Sequence, residues 1–318
     1  MGGRRQSGGA PPLIGDGQIP LLDHVEALRE RHGWDYMVYL TDLPRSHDGG
    51  PMVCEVSAAA KAALVPWPAL GAVRLVARTR KLLATLIGSM RKGTEDYPSA
   101  PAARHALGRG APGAGRGAED TVYLVLAGRL NQLRLLAGMV GSNQPGRLLP
   151  ALSTSVATAA ATGAFGIFFA PMWNLSDALP LVRLAAISAV VITALSGWLI
   201  IHNVLWNRTR HASDPWRAGR DNAATVVTVW LSVGMMYMVL WSVLFTAGLV
   251  VIEADDLQSQ LKHPVSLLDY GHLSWLAASL GTLAGALGSN FDSEDAIREA
   301  TYSRREHQRR QLADSHDD

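Results

Sequence analysis

Charge is what this sequence has least of. Only 18% of its 318 residues are Asp, Glu, Lys or Arg, against about 25% in average soluble domains. Aromatic residues make up 7%, and Cys54 is the single cysteine. One thiol excludes an internal disulfide framework and suits a reducing compartment for the segment that holds it. No His-Glu-x-x-His, Ser–His–Asp set, phosphate-cradling glycine loop or paired carboxylate stands out, so the sequence signatures of zinc peptidases, acyl hydrolases and nucleotide enzymes are missing. Arg4-Arg5 is followed by no apolar stretch, and Gly2 lacks a hydroxyl residue at the myristoylation spacing. Neither a secretory leader nor a lipid anchor is readable, and the first span is expected to act as the targeting signal.

The scarce charges are also unevenly placed. None falls in Leu148–Ser176, Leu184–Asn207, Asn222–Ile252 or Tyr270–Phe291. Each run exceeds the roughly 18–20 apolar residues that cross about 30 Å of hydrocarbon. The last, rich in Gly, Ser and Ala, is the softest. The fold class expected is an α-helical integral membrane protein with four transmembrane helices and a small N-terminal cytoplasmic α/β domain. Eighteen Lys and Arg precede the first run, four lie between the second and third, and five follow the last. The opposite loops hold only Arg183 and Lys262, with Asp177, Glu253, Asp255, Asp256 and Asp269. Positive charge collects on the cytoplasmic side, so both termini are expected there, in a multi-pass plasma (cell) membrane protein. The net charge of +2 gives no reason to expect a nucleic-acid partner.

Residues 1–18 read as disordered and 19–92 as the cytoplasmic domain. Within it, Leu21–Gly33 forms a helix with Leu21, Leu22, Val25 and Leu28 on one face. "WDYMVYLTDL", "MVCEV" and "AALVPW" read as strands separated by the turn "PRSHDGGP". A helix over Pro68–Met90 sets Leu70, Val73, Val76, Leu82 and Leu86 opposite Arg74, Arg78, Arg80 and Lys81. Residues 93–119, nearly free of large apolar side chains, read as a disordered linker. Residues 120–147 read as an interfacial amphipathic helix, with Arg129 and Arg134 snorkelling toward headgroups; a packing helix of the soluble domain is the other reading. The transmembrane domain spans 148–291 and a charged cytoplasmic tail 292–318.

The order strand–"TDLP"–strand–strand–helix over Trp34–Leu86 resembles the N-terminal half of archaemetzincin-type zincin metalloproteases. The resemblance implies a fold for this segment only. The helix that would carry the zinc histidines reads "GAVRLVARTRKLLATLIG", so no catalytic residue is transferred. Asp42, His47, Asp48, Cys54 and Glu55 crowd this segment, yet His47 and Asp48 sit in a glycine turn, and Cys54 and Glu55 alternate along a strand, pointing to opposite faces. They read as structural. The arrangement from "TDLP" to "DYGHLSWLAASLGTLAGALGSNFDSEDAIREATYSRRE" resembles uncharacterised four-span membrane proteins of high-GC actinobacteria, which implies a membrane location and no particular activity.

Transporters and pumps commonly place ionisable residues inside the bilayer, and the four runs hold no Asp, Glu, Lys or Arg. The fourth run instead carries small residues four apart, Ala277, Gly281, Gly285 and Ser289, a spacing that lets helices approach closely in one bundle or between copies. The function expected is a non-catalytic membrane interaction or scaffold protein, whose cytoplasmic face binds anionic lipid, a protein partner or a second copy. No catalytic residue, metal or cofactor is expected. The alternative is a membrane-embedded transporter subunit or enzyme, including a degenerate zincin-like peptidase relative, drawing on Glu253, Asp255, Asp256, Asp269, His263 and His272.

Overall fold

The computed structural model describes residues 21–47, 50–57, 60–92, 112–116, 121–126, 128–206, 215–288, 292 and 294–302. Asp48, Ser289 and most of the 1–18, 93–119 and 292–318 segments lie outside them. The protein is mostly helical, with a small mixed sheet near the N-terminus. It divides into two compact units, residues 1–142 with 302–318, and residues 143–301.

In the first unit α1 (Leu21–His32) precedes β1 (Met37–Thr41), β2 (Ser46–His47), β3 (Gly50–Ser57) and β4 (Ala62–Pro66). β1 runs parallel to β4, with Met37 opposite Ala62, while β3 is antiparallel to β4. Val25 closes one side of the sheet by packing with Met37, Leu43, Ala62 and Leu64. The sheet then continues where the sequence reads as linker and helix. Thr121–Leu126 is β6, paired antiparallel with β3, and Pro112–Arg116 is β5 on its far edge, giving the order β1-β4-β3-β6-β5. The physical reason lies in "TVYLVL": β-branched and aromatic residues favour a pleated surface, and Leu124 and Leu126, two apart, are both fully buried.

The long helix expected from Pro68 begins later. Trp67–Leu70 is a single 3₁₀ turn stopped by Gly71 at φ 78°, and α2 runs Leu75–Lys92. Its buried face is therefore Leu82, Leu86 and Met90, whereas Val73 and Val76 are exposed. Helix α3 (Arg129–Asn143) follows β6.

Among the described residues the second unit holds helices and no strand: α4 (Leu148–Ala151), α5 (Ser153–Phe168), α6 (Ala170–Ala178), α7 (Leu181–His202), α8 (Pro215–Val251), α9 (Ala254–Leu261), α10 (Leu267–Gly288) and α11 (Glu294–Thr301). Among the described residues, two helices are long and apolar enough to cross a membrane, α7 and the Gly219–Val251 part of α8; a third is reached if the broken helix pair ending at Phe168 counts as one span. The charge-free run Leu148–Ser176 does not form one straight helix, because it breaks at Leu152 and again at Phe169, where Pro171 opens α6.

Helix α10 packs against α5, α6, α7 and α8. Its richness in small residues follows from that place. A helix ringed by protein needs small residues for close approach rather than large apolar ones for lipid, and Ala277, Ala278, Ser279, Gly281, Thr282 and Gly285 are all buried. The outer faces are the reverse: Val182, Ile201 and Val250 are each about four-fifths exposed, as 81%, 78% and 79%.

Candidate functional site

Two groups of polar residues in the helical unit bring side chains from several helices together, one inside and one at a helix-end loop. Inside, Ser188 of α7, Tyr237 of α8, and Trp275 and Ser279 of α10 share one hydrogen-bonded cluster. Trp275 donates its indole N–H to Ser188 Oγ. The Tyr237 hydroxyl lies 3.1 Å from Ser188 Oγ and 2.9 Å from Ser279 Oγ. Two of the hydroxyls also reach main-chain carbonyls of their own helices, Ser188 to Leu184 and Ser279 to Trp275. Every member has partners, so the cluster fixes the mutual rotation of three helices and offers no reactive group.

The small-residue ladder has a defined neighbour. A Cβ on Gly281 would collide with the Ala159 carbonyl of α5, and one on Gly285 would lie 3.0 Å from the Ser155 carbonyl. Ala277 faces Gly163 and Gly166 of the same helix. Ser289 lies outside the described residues. The N-terminus of α5 is capped by Asp292, whose carboxylate accepts from the Thr154 and Ser155 amides and the Ser155 hydroxyl.

The sheet unit separates the residues crowded together in its sequence. Cys54 is fully buried, and burial pushes its thiol up to about 12. Glu55 pairs with Arg45, and His47 stacks on Tyr123 with ring centres 4.7 Å apart. Arg134 donates its Nε–H to the Leu70 carbonyl at 3.1 Å, and Arg78 reaches the same oxygen at 2.8 Å. Leu130 and Leu133 of the same helix are exposed. The side chain of Arg129 lies outside the described residues.

One set of side chains can hold a metal ion. Among the described residues, Asp177, His263 and Asp269 form the only such group, their ligand atoms all within 4.8 Å of one another. Asp177 is the penultimate residue of α6. His263 follows Lys262, whose left-handed conformation (φ 60°) ends α9 and turns the chain. Asp269 sits in the first turn of α10. His263 Nδ1 is 3.0 Å from the Pro264 carbonyl, and its Nε2 is 3.2 Å from Asp177 Oδ1. Asp269 Oδ2 accepts from the Ser266 amide and hydroxyl at 2.6 and 3.0 Å. The Pro264 carbonyl and then Asp177 hold the His263 ring above its ordinary range by favouring the protonated form.

Of the outer-loop candidates read in sequence, the structure joins His263 and Asp269 to Asp177 and leaves Glu253, Asp255, Asp256 and His272 out. Asp177 was legible only as one more loop acid, since it lies 86 residues from His263. No family model, curated protein or solved structure matches the chain.

Proposed function

We propose that the chain is a four-span plasma-membrane protein with both termini in the cytoplasm, acting as a non-catalytic scaffold whose cytoplasmic side binds a partner or anionic lipid. The observation that supports it most is the inverted polarity of the helical unit. Ser188, Ser196, Thr228, Ser232, Ser279 and Thr282 are buried, while Val182, Val190, Ile201, Val239 and Val250 are exposed. In water that arrangement forfeits the hydrophobic drive; in lipid it is the expected one. α5 and α10 complete the four spans in this reading, with α10 shielded from lipid along much of its length. The charge asymmetry of the loops supports the orientation. Exposed Leu130 and Leu133 on α3, with exposed Arg80 and Lys81 on α2, suit contact with an anionic bilayer surface. The likeness to actinobacterial four-span proteins belongs to the same reading.

The test is purification of the full chain in mild detergent, with measurement of its mass and of what accompanies it. A stoichiometric protein, a second copy or retained anionic lipid supports the scaffold. A bare monomer, or one that moves solutes across vesicle membranes, sinks it. The Asp177–His263–Asp269 group is the observation that favours the alternative, a membrane-embedded enzyme or transporter subunit.

A further inference from the structure

We propose that Asp177, His263 and Asp269 form a binding site for one divalent transition-metal ion of the zinc class. Three segments far apart in sequence converge on it: the end of α6, the connection after α9 and the first turn of α10. The donor set of one imidazole nitrogen and two carboxylate oxygens suits zinc, cobalt or manganese better than magnesium or calcium, which prefer oxygen alone, or copper(I), which prefers sulfur.

Each ligand is already oriented from behind. The Pro264 carbonyl takes the Nδ1 side of His263, which leaves Nε2 as the metal-facing atom. Metal-binding histidines commonly carry such a carbonyl or carboxylate partner. Ser266 occupies Oδ2 of Asp269 through both its amide and hydroxyl, so Oδ1 keeps coordination capacity to spare. With Nδ1–H donated to Pro264, neutral Nε2 and Asp177 Oδ1 are two lone-pair donors facing each other at 3.2 Å. A metal ion held by both atoms satisfies the two lone pairs at once, in the place a shared proton would otherwise take.

The spacing discriminates little against the ion. Bonds of about 2.0–2.2 Å in tetrahedral array separate ligand atoms by about 3.4 Å, close to the Nε2–Oδ1 distance, and rotation of exposed side chains brings in the third ligand. Asp177 sits at the negative end of the α6 dipole and Asp269 at the positive end of α10, so the two helix ends offset each other and the two carboxylates supply the charge that attracts a cation. Three protein ligands leave a fourth position open for water or an external ligand. The ion would tie α6 to the start of α10, and its binding displaces any proton on Nε2. This inference stands on local geometry and does not depend on the four-span reading, under which the site faces outside the cell.

The experiment is zinc titration of the full-length, tag-free chain in detergent after treatment with a chelator, followed by calorimetry. Cobalt substitution supplies an independent absorption signature of nitrogen–oxygen coordination. One equivalent is expected to bind with micromolar or tighter affinity, weakened at least ten-fold in both His263→Ala and Asp177→Asn. Asp269→Asn keeps an oxygen for Ser266 and serves as a variant that loses charge without losing its cap. Excess magnesium should not displace the ion. Zinc binding unchanged in His263→Ala and Asp177→Asn assigns the ion to other histidines of the chain and overturns the site. So does the absence of saturable binding by wild type below the millimolar range.

Discussion

Asp292 closes the N-terminus of α5 on Ser155: its Oδ2 accepts the Ser155 hydroxyl at 2.8 Å and the Ser155 amide at 3.2 Å. The capping side chain lies 137 residues from the helix it caps, so the bond joins the segment after α10 to the start of α5. Replacing Asp292 by Ala removes a charged cap from orphan amides, which costs about 1–2 kcal/mol. A lowered melting temperature of the detergent-solubilised chain is expected. Asp292→Asn, which keeps an acceptor, should recover most of the loss. Equal harm from the two variants would show that the carboxylate's charge, rather than its hydrogen bonding, dominates.

The α5–α10 contact is the second target. Gly281→Ala sets a methyl against the Ala159 carbonyl, and main chain cannot step aside as a flexible side chain can. Overpacking of this kind costs about 1–3 kcal/mol, and the double change Gly281→Leu with Gly285→Leu should cost more while still inserting. Ala278 lies off the ladder but is also fully buried, so added bulk there is no control. Leu283, which is 52% exposed, is the proper one. If Leu283→Phe lowers the melting temperature as much as Gly281→Ala, close helix approach is not what the glycine serves.

Arg134 separates a folding role from a lipid role. Its Nε–H and Arg78 converge on the Leu70 carbonyl, and a hydrogen bond from a charged donor contributes about 1.5–3 kcal/mol. Arg134→Met should speed hydrogen exchange in the Trp67–Gly71 turn and in α3, in lipid-free detergent as well as in vesicles. Arg134→Lys should not rescue it, since a terminal ammonium does not reproduce the Nε–H position. Exchange that changes only when anionic vesicles are present would make Arg134 a headgroup ligand instead.

Cys54 sets an alkaline limit on the sheet. Its thiol is raised from 9.0 to about 12 by burial first and by Glu55 second. The folded state therefore holds its proton where the unfolded state releases it, and stability falls as pH rises above about 9, continuing toward 12. Cys54→Ala should flatten that part of the pH profile. Native protein should also resist alkylation at pH 8 and become reactive on denaturation, because the thiolate is the nucleophile. Rapid labelling of the folded chain at pH 8 would contradict the burial.

Much of the organisation is legible in the residues, and the gaps have physical causes. The charge-free runs mark the helical unit because excluding charge over so many residues reflects the surroundings of the whole segment. β6 is misread as helix because Leu126, Leu130 and Leu133 stand at i, i+4 and i+7, a helical spacing; its pairing with β3 is non-local, and a window along the chain cannot see it. Leu40, an apolar residue inside a strand legible in the sequence, is 41% exposed, since the strand buries Met37 and Thr41 instead. The Asp177–His263 contact leaves no local trace at all. It depends on where two loops end, which the packing of the intervening helices determines.

The place of α10 also bears on how the protein is made. The helix that α5, α6, α7 and α8 pack around is the last of them to leave the ribosome. Until it arrives, Ala159 and Gly163 have no α10 backbone to fit, and Ser188 and Tyr237 lack the Trp275 and Ser279 members of their cluster. A chain cut short before Leu267 keeps the Ser188–Tyr237 hydrogen bond but loses the Trp275 and Ser279 partners that lock the rotation of α7 against α8.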